Sequence, residues 1–533
     1  MIRPSTDRTI RTPPALRDQL DEAREAFRAR MAELGSPDVW AKFTGRIAAV
    51  LAGGGARGAY EAGALLAFQD ARLPTPLITA SSIGSINGAS YAAHADGEVG
   101  NAEPLLGAWL DLTPPTVGVE WTRYTWMLVG LLATFVGFVN LTYFLLTTNG
   151  YRIMLHHPAI AWLSLSAAGL SVLFFYEDLP YLYHVARRLW HRSPWRPSPR
   201  RMIASLLANA LVLGFAVALV ESLDVHTEFG EIVYGRPLFV VTVVVFLLVL
   251  RWARRHLHPR IGRFWGRVLR LPFKTGIFSN FERTRYLRGY IPADQLRGSA
   301  VHVVLAVTDL DKGVPRYYTN ADPEAFLGRP WVDERFVKKQ LIRMDDPMPA
   351  VIAGSALPIA YEPVPLDGRL HGDGAIVASQ PIRPAIRLGA DVLFIVSMET
   401  PGSSSGSLRT FVDVGLRALD ILMQRNVHTD LDLLMTANHQ IEQAAQKMNV
   451  RPEDLVIDFE GRRFRYVKAY AIRPTSSIMS TILDFGGRAT GETILAGYRD
   501  AAVSIGEFAR YAKTGGFHPE RQTIHLRLSL SGE

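Results

Sequence analysis

The sequence predicts an α/β domain interrupted by a four-helix transmembrane insertion. Three observations carry this reading. Two strand–turn–helix units follow one another near the amino terminus, "AAVLAGGGARGAYEAGALLAF" (48 to 68) and "PLITASSIGSINGASYAAH" (76 to 94). Four apolar runs crowd into the middle of the chain, and strand-like segments resume after them.

In the first unit a buried strand passes through a glycine-rich turn into a helix. Gly53, Gly55 and Gly58 satisfy G-x-G-x-x-G, the spacing by which a turn cradles the pyrophosphate of a dinucleotide. Asp70, 17 residues after Gly53, stands tolerably near the ribose-binding position, so that alternative has some support. A P-loop is excluded, because no Gly-Lys-Ser/Thr occurs here. In the second unit Pro76 to Ala80 is a short strand and Ser85 to Ala93 a helix of small residues. Ala80-Ser81-Ser82-Ile83-Gly84 between them fits small-x-Ser-x-Gly, a nucleophile elbow with alanine in place of the first glycine. A serine capping an ordinary helix is the competing reading.

Tyr124 to Leu146 is 23 residues without a formal charge, Ala159 to Tyr176 is 18, and Met202 to Val220 is 19. A fourth run, Leu238 to Leu250, reaches spanning length if it begins near Ile232 and Arg236 snorkels. A helix needs about 20 apolar residues to cross the hydrocarbon core. Trp121, Trp126, Tyr151, Tyr176 and Trp252 edge these runs as an aromatic belt would. Buried core helices of a large soluble domain are the competing reading.

The net charge of +8 is not spread evenly. Residues 123 to 274 hold 17 Lys or Arg against 6 Asp or Glu, a balance of +11 that leaves −3 for the rest. The basic segment is also the most apolar, which points to a membrane and not to nucleic acid. Arg187, Arg188, Arg192, Arg196, Arg200 and Arg201 lie between runs two and three, and seven arginines from Arg251 to Arg270 follow run four. The loop between runs three and four instead carries Glu221, Asp224, Glu228 and Glu231. Positive-inside logic places both arginine-rich segments, and with them both termini, in the cytoplasm. The arginines can also contact anionic lipid headgroups.

The chain has no cysteine, which excludes disulfides, thiolate catalysis and cysteine-ligated metals. The amino-terminal stretch mixes acids and bases and reads as an amphipathic helix from Ala15 to Leu34, not a secretory signal. His156 and His157 lack a nearby carboxylate or third histidine that would complete a metal site, so no metal and no cofactor is expected. From Thr410 the chain is helical, and "RRFRYVKAYAIRP" (462 to 474) alternates as a strand.

Three ordered motifs resemble the patatin-like phospholipase family: Gly53-Gly54-Gly55-Ala56-Arg57-Gly58, the elbow at Ser82, and Asp373-Gly374-Ala375. "LAVTDLDKGVPRYY" (305 to 318) and "VIAGSALPIAYEPVPLDG" (351 to 368) match that family's central strand pair and its following helix. "GADVLFIVSMETP" (389 to 401) looks like a late core strand. The resemblance covers 46 to 120 and 276 to 400, with a weaker echo near 483 to 501. It implies a three-layer α/β/α domain and a serine lipid acyl hydrolase of phospholipase A or lysophospholipase type. Ser82 would be the nucleophile and Asp373 the base of a Ser–Asp dyad, with Gly53, Gly54, Gly55, Ala56, Arg57 and Gly58 forming an oxyanion loop. Arg57 would pin that loop or attract a lipid phosphate. An Asp-Gly turn without catalytic duty is the competing reading of Asp373. His371, His428 and His439 are the candidates for a triad instead.

The expected organisation is a helical extension (1 to 45), the first part of the α/β domain (46 to 122), the membrane insertion (123 to 274), the second part (275 to 400) and a mostly helical carboxy-terminal region (401 to 533). The expected partners are membrane phospholipids or lysophospholipids, anionic headgroups near the basic loops, and a second copy of the chain. No nucleic acid is expected. A bacterial inner membrane is the expected location. A catalytically silent lipid-sensing or scaffold protein, or an acyltransferase using the same dyad, are the alternatives.

Overall fold

The computed structural model describes residues 14–36, 38–112, 276–278, 280–398, 411–459, 462–475, 487–513 and 521–526, together with 116, 128–130, 132–137, 165–166, 168–169 and 517. The chain divides into two compact units, 1–119 with 275–533, and 120–274.

In the first unit nine strands form one mixed sheet. They are β1 (Ile47–Leu51), β2 (Leu77–Ala80), β3 (His302–Asp309), β4 (Val314–Thr319), β5 (Leu341–Arg343), β6 (Val364–Leu366), β7 (Arg369–Asp373), β8 (Val392–Val396) and β9 (Lys468–Ile472). The main path runs β9-β8-β1-β2-β3-β4-β5. From β9 to β3 every pairing is parallel, and β4 then returns antiparallel along β3. Parallel strands are covered on both faces, which is why β1 and β8 read as continuous apolar runs and bury every residue. Alternation along β1 still separates two cores: Ile47, Ala49 and Leu51 face one, Ala48 and Val50 the other.

The first core is closed by α1 (Pro14–Glu33), α2 (Ala59–Asp70), α3 (Ile83–Ala93), α4 (Glu103–Leu110), α5 (Asn280–Leu287) and α6 (Pro347–Gly354), together with a late helix. On the opposite face lie α7 (Ile382–Arg387) and part of α8 (Phe411–Met448). The late helix, α9 (Gly487–Ala512), buries Ile494, Tyr498, Ala501, Ile505, Phe508 and Ala512, an apolar stripe at helical spacing. It lies directly on α2. A Cβ at Gly63 would stand 1.9 Å from the Ile494 carbonyl oxygen, and one at Gly497 would stand 2.0 Å from that of Tyr60. The two glycines let the helix backbones touch, which accounts for the motif-like sequence near 490.

Two buried acids lock the periphery. Asp70, at the end of α2, takes Arg24 at 2.8 Å and the Tyr498 hydroxyl at 3.0 Å, and also pairs with Arg28. It is thus committed to tying α1 and α9 to α2, not free to bind a ribose. Asp391 accepts from the Arg46 amide at 2.9 Å, Arg465 at 2.9 Å and Arg521 at 2.6 Å. That network explains a correction to the sequence reading: 462 to 474 is two strands, not one. Arg462–Arg465 joins a separate three-stranded sheet with Leu455–Phe459 and Gln522–Leu526, while β9 enters the main sheet. The chain changes sheets where the Arg465 guanidinium turns inward to Asp391 and Tyr466 and Val467 are buried.

Of the four apolar runs, 202–220 and 232–250 lie outside the described residues, as does most of 124–146 and 159–176. Among the described residues no helix is long and apolar enough to cross a membrane. The described part of the first run is helical and exposes Leu128, Val129, Leu132 and Phe135. Within the same unit a Cβ at Gly169 would lie 2.4 Å from the Thr134 amide nitrogen, so these two helical stretches touch through small residues.

Candidate active site

β1 and β2 are parallel neighbours, so the turns that follow them emerge side by side at the carboxyl end of the sheet, where open α/β folds bind ligands. After β2 the chain turns through Ser82 into α3. Ser82 has φ 51° and ψ −127°, a conformation non-glycine residues hold only under constraint. The constraint is visible: a Cβ at Gly84 would lie 2.8 Å from both Leu51 Cβ and Leu51 O, so α3 starts in contact with β1. Ala80, in place of the elbow's first glycine, is fully buried at the end of β2 opposite Leu305. The Ser82 hydroxyl makes no capping bond to α3. It donates instead to Asp373 Oδ2 at 2.6 Å.

Strand register brings that acid to the serine. β2 pairs with His302–Leu305 of β3, and β7 pairs antiparallel with Val307–Asp309 along the same edge. Ala80 is opposite Leu305 and Asp373 is opposite Val307, so the two strands end head to head across Ala306. Gly374 fills the seam: a Cβ there would be 2.1 Å from the Ala306 carbonyl oxygen and 2.8 Å from Ser81 Oγ. Asp373 is held on every side. Its Oδ1 accepts from the Ala375 amide at 2.8 Å, its amide donates to Ala356 O at 2.9 Å, and its carbonyl accepts from Thr308 Oγ1 at 2.7 Å. Complete burial pushes the Asp373 carboxyl up to about 6, against the opposing pull of the Ser82 hydroxyl, the Ala375 N–H and the Arg283 charge. A carboxylate so placed can take a proton from the serine near neutral pH.

The six loop residues separate by task. Gly54 and Gly55 line the cleft with Ser82 and Asp373. The Gly53 amide is committed to Ser379 O at 3.2 Å and that of Arg57 to Gly54 O at 3.2 Å. Gly53 is small because Ser82 Cβ and Ala375 Cβ press on it, and Gly58 because a Cβ there would be 2.5 Å from Ile83 Cγ1. Ala56 and Arg57 are buried in the turn behind the cleft wall.

The cleft is walled mainly by Ile83, Ile86, Leu105, Trp109, Leu112, Tyr286, Leu287, Leu357 and Tyr361. Two buried charged residues were not legible as site residues in the sequence. Glu61, fully buried, accepts from Asn87 Nδ2 at 2.8 Å, and Asn87 Oδ1 in turn accepts from Trp109 Nε1 at 3.0 Å. This bridge ties α2 to α3 and to the cleft wall, and burial holds the Glu61 carboxyl well above the usual range. Arg283, on α5, enters the cleft itself. On α5 it shares a buried face with Leu287, four residues on.

Among the described residues, neither His371 nor His439 meets the serine. His371 Nδ1 contacts Arg369 O at 3.1 Å and its ring packs edge-on against Tyr318. His439 is exposed on α8 beside Gln443 and Glu442, and His428 is on the same helix. His156 and His157 lie outside the described residues. Among the described residues no group of three or more His, Asp or Glu could hold a metal ion.

The sequence model of the patatin-like phospholipase family matches residues 49–132 and 202–386, half of the chain. Lysophospholipase NTE1 of Chaetomium globosum is 37% identical over 140 residues, 23% of this chain and 9% of that protein. The Yarrowia lipolytica protein of that name is 36% identical over 143 residues (23% and 10%), and that of Aspergillus terreus 44% over 77 residues (13% and 5%). The chain thus spans at most a tenth of the length of these curated relatives. Among solved structures, VipD from Legionella pneumophila aligns with TM-score 0.31 and 12% identity, over 86% of this chain and 66% of that one. On the extent of the family match and the order of the three motifs that converge on the cleft, the chain belongs to the patatin-like phospholipase family.

Proposed function

We propose that the chain is a membrane-anchored serine lipid acyl hydrolase that cleaves the carboxylic ester bonds of phospholipids or lysophospholipids. One observation carries the reading: the 2.6 Å hydrogen bond from Ser82 Oγ to a buried carboxylate, Asp373, on the wall of an apolar cleft. Ser82 attacks the ester carbonyl while Asp373 takes its proton. The Gly54 and Gly55 amides stabilise the oxyanion, each donor contributing about 2.7–4 kcal/mol. Protonated Asp373 then gives its proton to the departing glycerol oxygen, leaving an acyl-serine. Water attacks this ester, Asp373 takes the water's proton, and collapse returns that proton to Ser82 as the fatty acid leaves. A carboxyl at about 6 is ionised at neutral pH yet more basic than an ordinary aspartate. Arg57, buried and outside the cleft lining, pins the loop in this scheme.

The insertion between residues 123 and 274 is read as four membrane spans between the two parts of the α/β domain, with the site on the arginine-rich, cytoplasmic side. The exposed apolar side chains of 128–135 favour this. So does chain order: Leu112 and Thr116 before the insertion, and Arg283 and Tyr286 after it, all line the cleft. A segment of the same chain anchored in lipid would raise the effective substrate concentration. A silent lipid-binding domain draws no support from Ala80, since the Ser82–Asp373 hydrogen bond forms with alanine at that position.

Fatty-acid release from lysophosphatidylcholine and diacyl phosphatidylcholine in detergent micelles, followed by mass spectrometry, tests the proposal. Release by the wild type and not by Ser82→Ala is the expected result. Lipid binding without release would favour the silent domain, and acyl transfer to an added alcohol in preference to water would favour the transferase.

A further inference from the structure

Arg283 is the charged side chain in the cleft that no motif accounts for. It is 4% exposed and sits on α5, the first helix after the insertion. Its Nη1 donates to Ser355 O at 2.7 Å, and its Nη2 to Ile352 O at 2.9 Å and Asn280 Oδ1 at 2.9 Å. Its guanidinium carbon stands 3.8 Å from the centre of the Tyr361 ring. Three of its five N–H donors are thus committed to protein acceptors, and Nε is buried with no hydrogen-bond partner among the described residues. This placement has two consequences. The carbonyls it clamps belong to the segment that ends α6, and the next residue, Ala356, accepts the Asp373 amide at 2.9 Å. It also lines the same cleft as Asp373, and its charge pulls that carboxyl down, the smallest of the influences on it.

Resting on the Ser82–Asp373 reading, we propose that Arg283 is a positioning residue: it fixes the Ser355–Ala356 segment behind Asp373 and supplies the cation that keeps this carboxylate ionised in the apolar cleft. The groups facing that carboxyl are the Ser82 hydroxyl, the Ala375 amide and Arg283. Other titratable groups on neighbouring elements are engaged elsewhere. Asp309 on β3 pairs with Arg369 at 3.0 Å and Arg316 at 3.5 Å, His371 on β7 packs against Tyr318, and Tyr361 stacks on Arg283 itself.

The test is the pH dependence of kcat/KM for a soluble nitrophenyl ester, with wild type, Arg283→Gln and Arg283→Lys compared alongside their melting temperatures. Arg283→Gln keeps donors for the clamped carbonyls but removes the charge, and Arg283→Met deletes the same charge should Gln not be recovered folded. Charge removal is expected to move the acid limb to higher pH, with rate recovered at alkaline pH. Arg283→Lys is expected to keep the wild-type limb despite a lower melting temperature. A limb unmoved in the folded neutral variant, or moved equally by lysine, overturns the proposal. A folded wild type that hydrolyses no ester at any pH overturns the hydrolase reading itself, and this inference with it.

Discussion

Ser82 Oγ and Asp373 Oδ2 lie 2.6 Å apart although 291 residues separate them in the chain. The relationship is a product of register. β2 and β7 run in opposite directions along one edge of β3 and stop on either side of Ala306, each ending in one member of the pair. A serine on a strained turn meets an acid that caps a 3₁₀ turn.

Replacing Asp373 by Asn should reduce kcat by about 10²–10⁴-fold with little change in KM, because it removes the proton acceptor while keeping the shape. The same acid gives the pH profile its sign. A carboxyl raised from 3.8 to about 6 on folding binds its proton more tightly in the folded chain. It therefore favours folding below 3.8, and that contribution is lost as pH rises through about 6. Activity should rise over that upper limit as stability falls. At pH above it, Asp373→Asn should melt a few degrees higher than the wild type, as differential scanning calorimetry would read.

Gly374→Ala should disable the site without touching either reacting group. The added methyl carbon would meet the Ala306 carbonyl oxygen at 2.1 Å, a backbone atom that cannot swing aside. Overpacking of this kind costs about 1–3 kcal/mol or more, and the strain falls on the peptide that follows Asp373. A fall in both melting temperature and kcat is the expected outcome. An active, stable Gly374→Ala would mean that β7 does not sit against β3 as described.

The absence of cysteine makes the membrane reading easy to test. Single cysteines at Arg196 and Glu228 can be labelled in intact cells with an impermeant maleimide. The four-span arrangement predicts that Glu228→Cys reacts from outside and Arg196→Cys only after permeabilisation. Equal reactivity of both from one side would contradict it.

How much of this was legible beforehand differs residue by residue. The glycine turn and the Ser82 elbow were readable because close backbone approach leaves few residue types possible at Gly53, Gly58 and Gly84. Gly374 carried the same kind of signal, and the seam at Ala306 explains why an Asp-Gly pair is needed there. The finer division of the loop was not legible: which amides are already bonded depends on Ser379 O and Gly54 O, set by the tertiary fold. Glu61 and Arg283 carry no such signal, because charged residues in helices are ordinarily solvated, and three-dimensional burial is what marks these two. The split of 462 to 474 into two sheets follows from Arg465 reaching Asp391, 74 residues away.

The central claim is that Ser82, activated by Asp373, is the nucleophile of this cleft. The most direct measurement is covalent labelling of the purified, lipid-supplemented protein with a fluorophosphonate, mapped by peptide mass spectrometry. The account predicts one adduct, on Ser82, absent in Ser82→Ala and formed much more slowly in Asp373→Asn. A folded wild type that carries no adduct, or one that reacts at another serine, would contradict it.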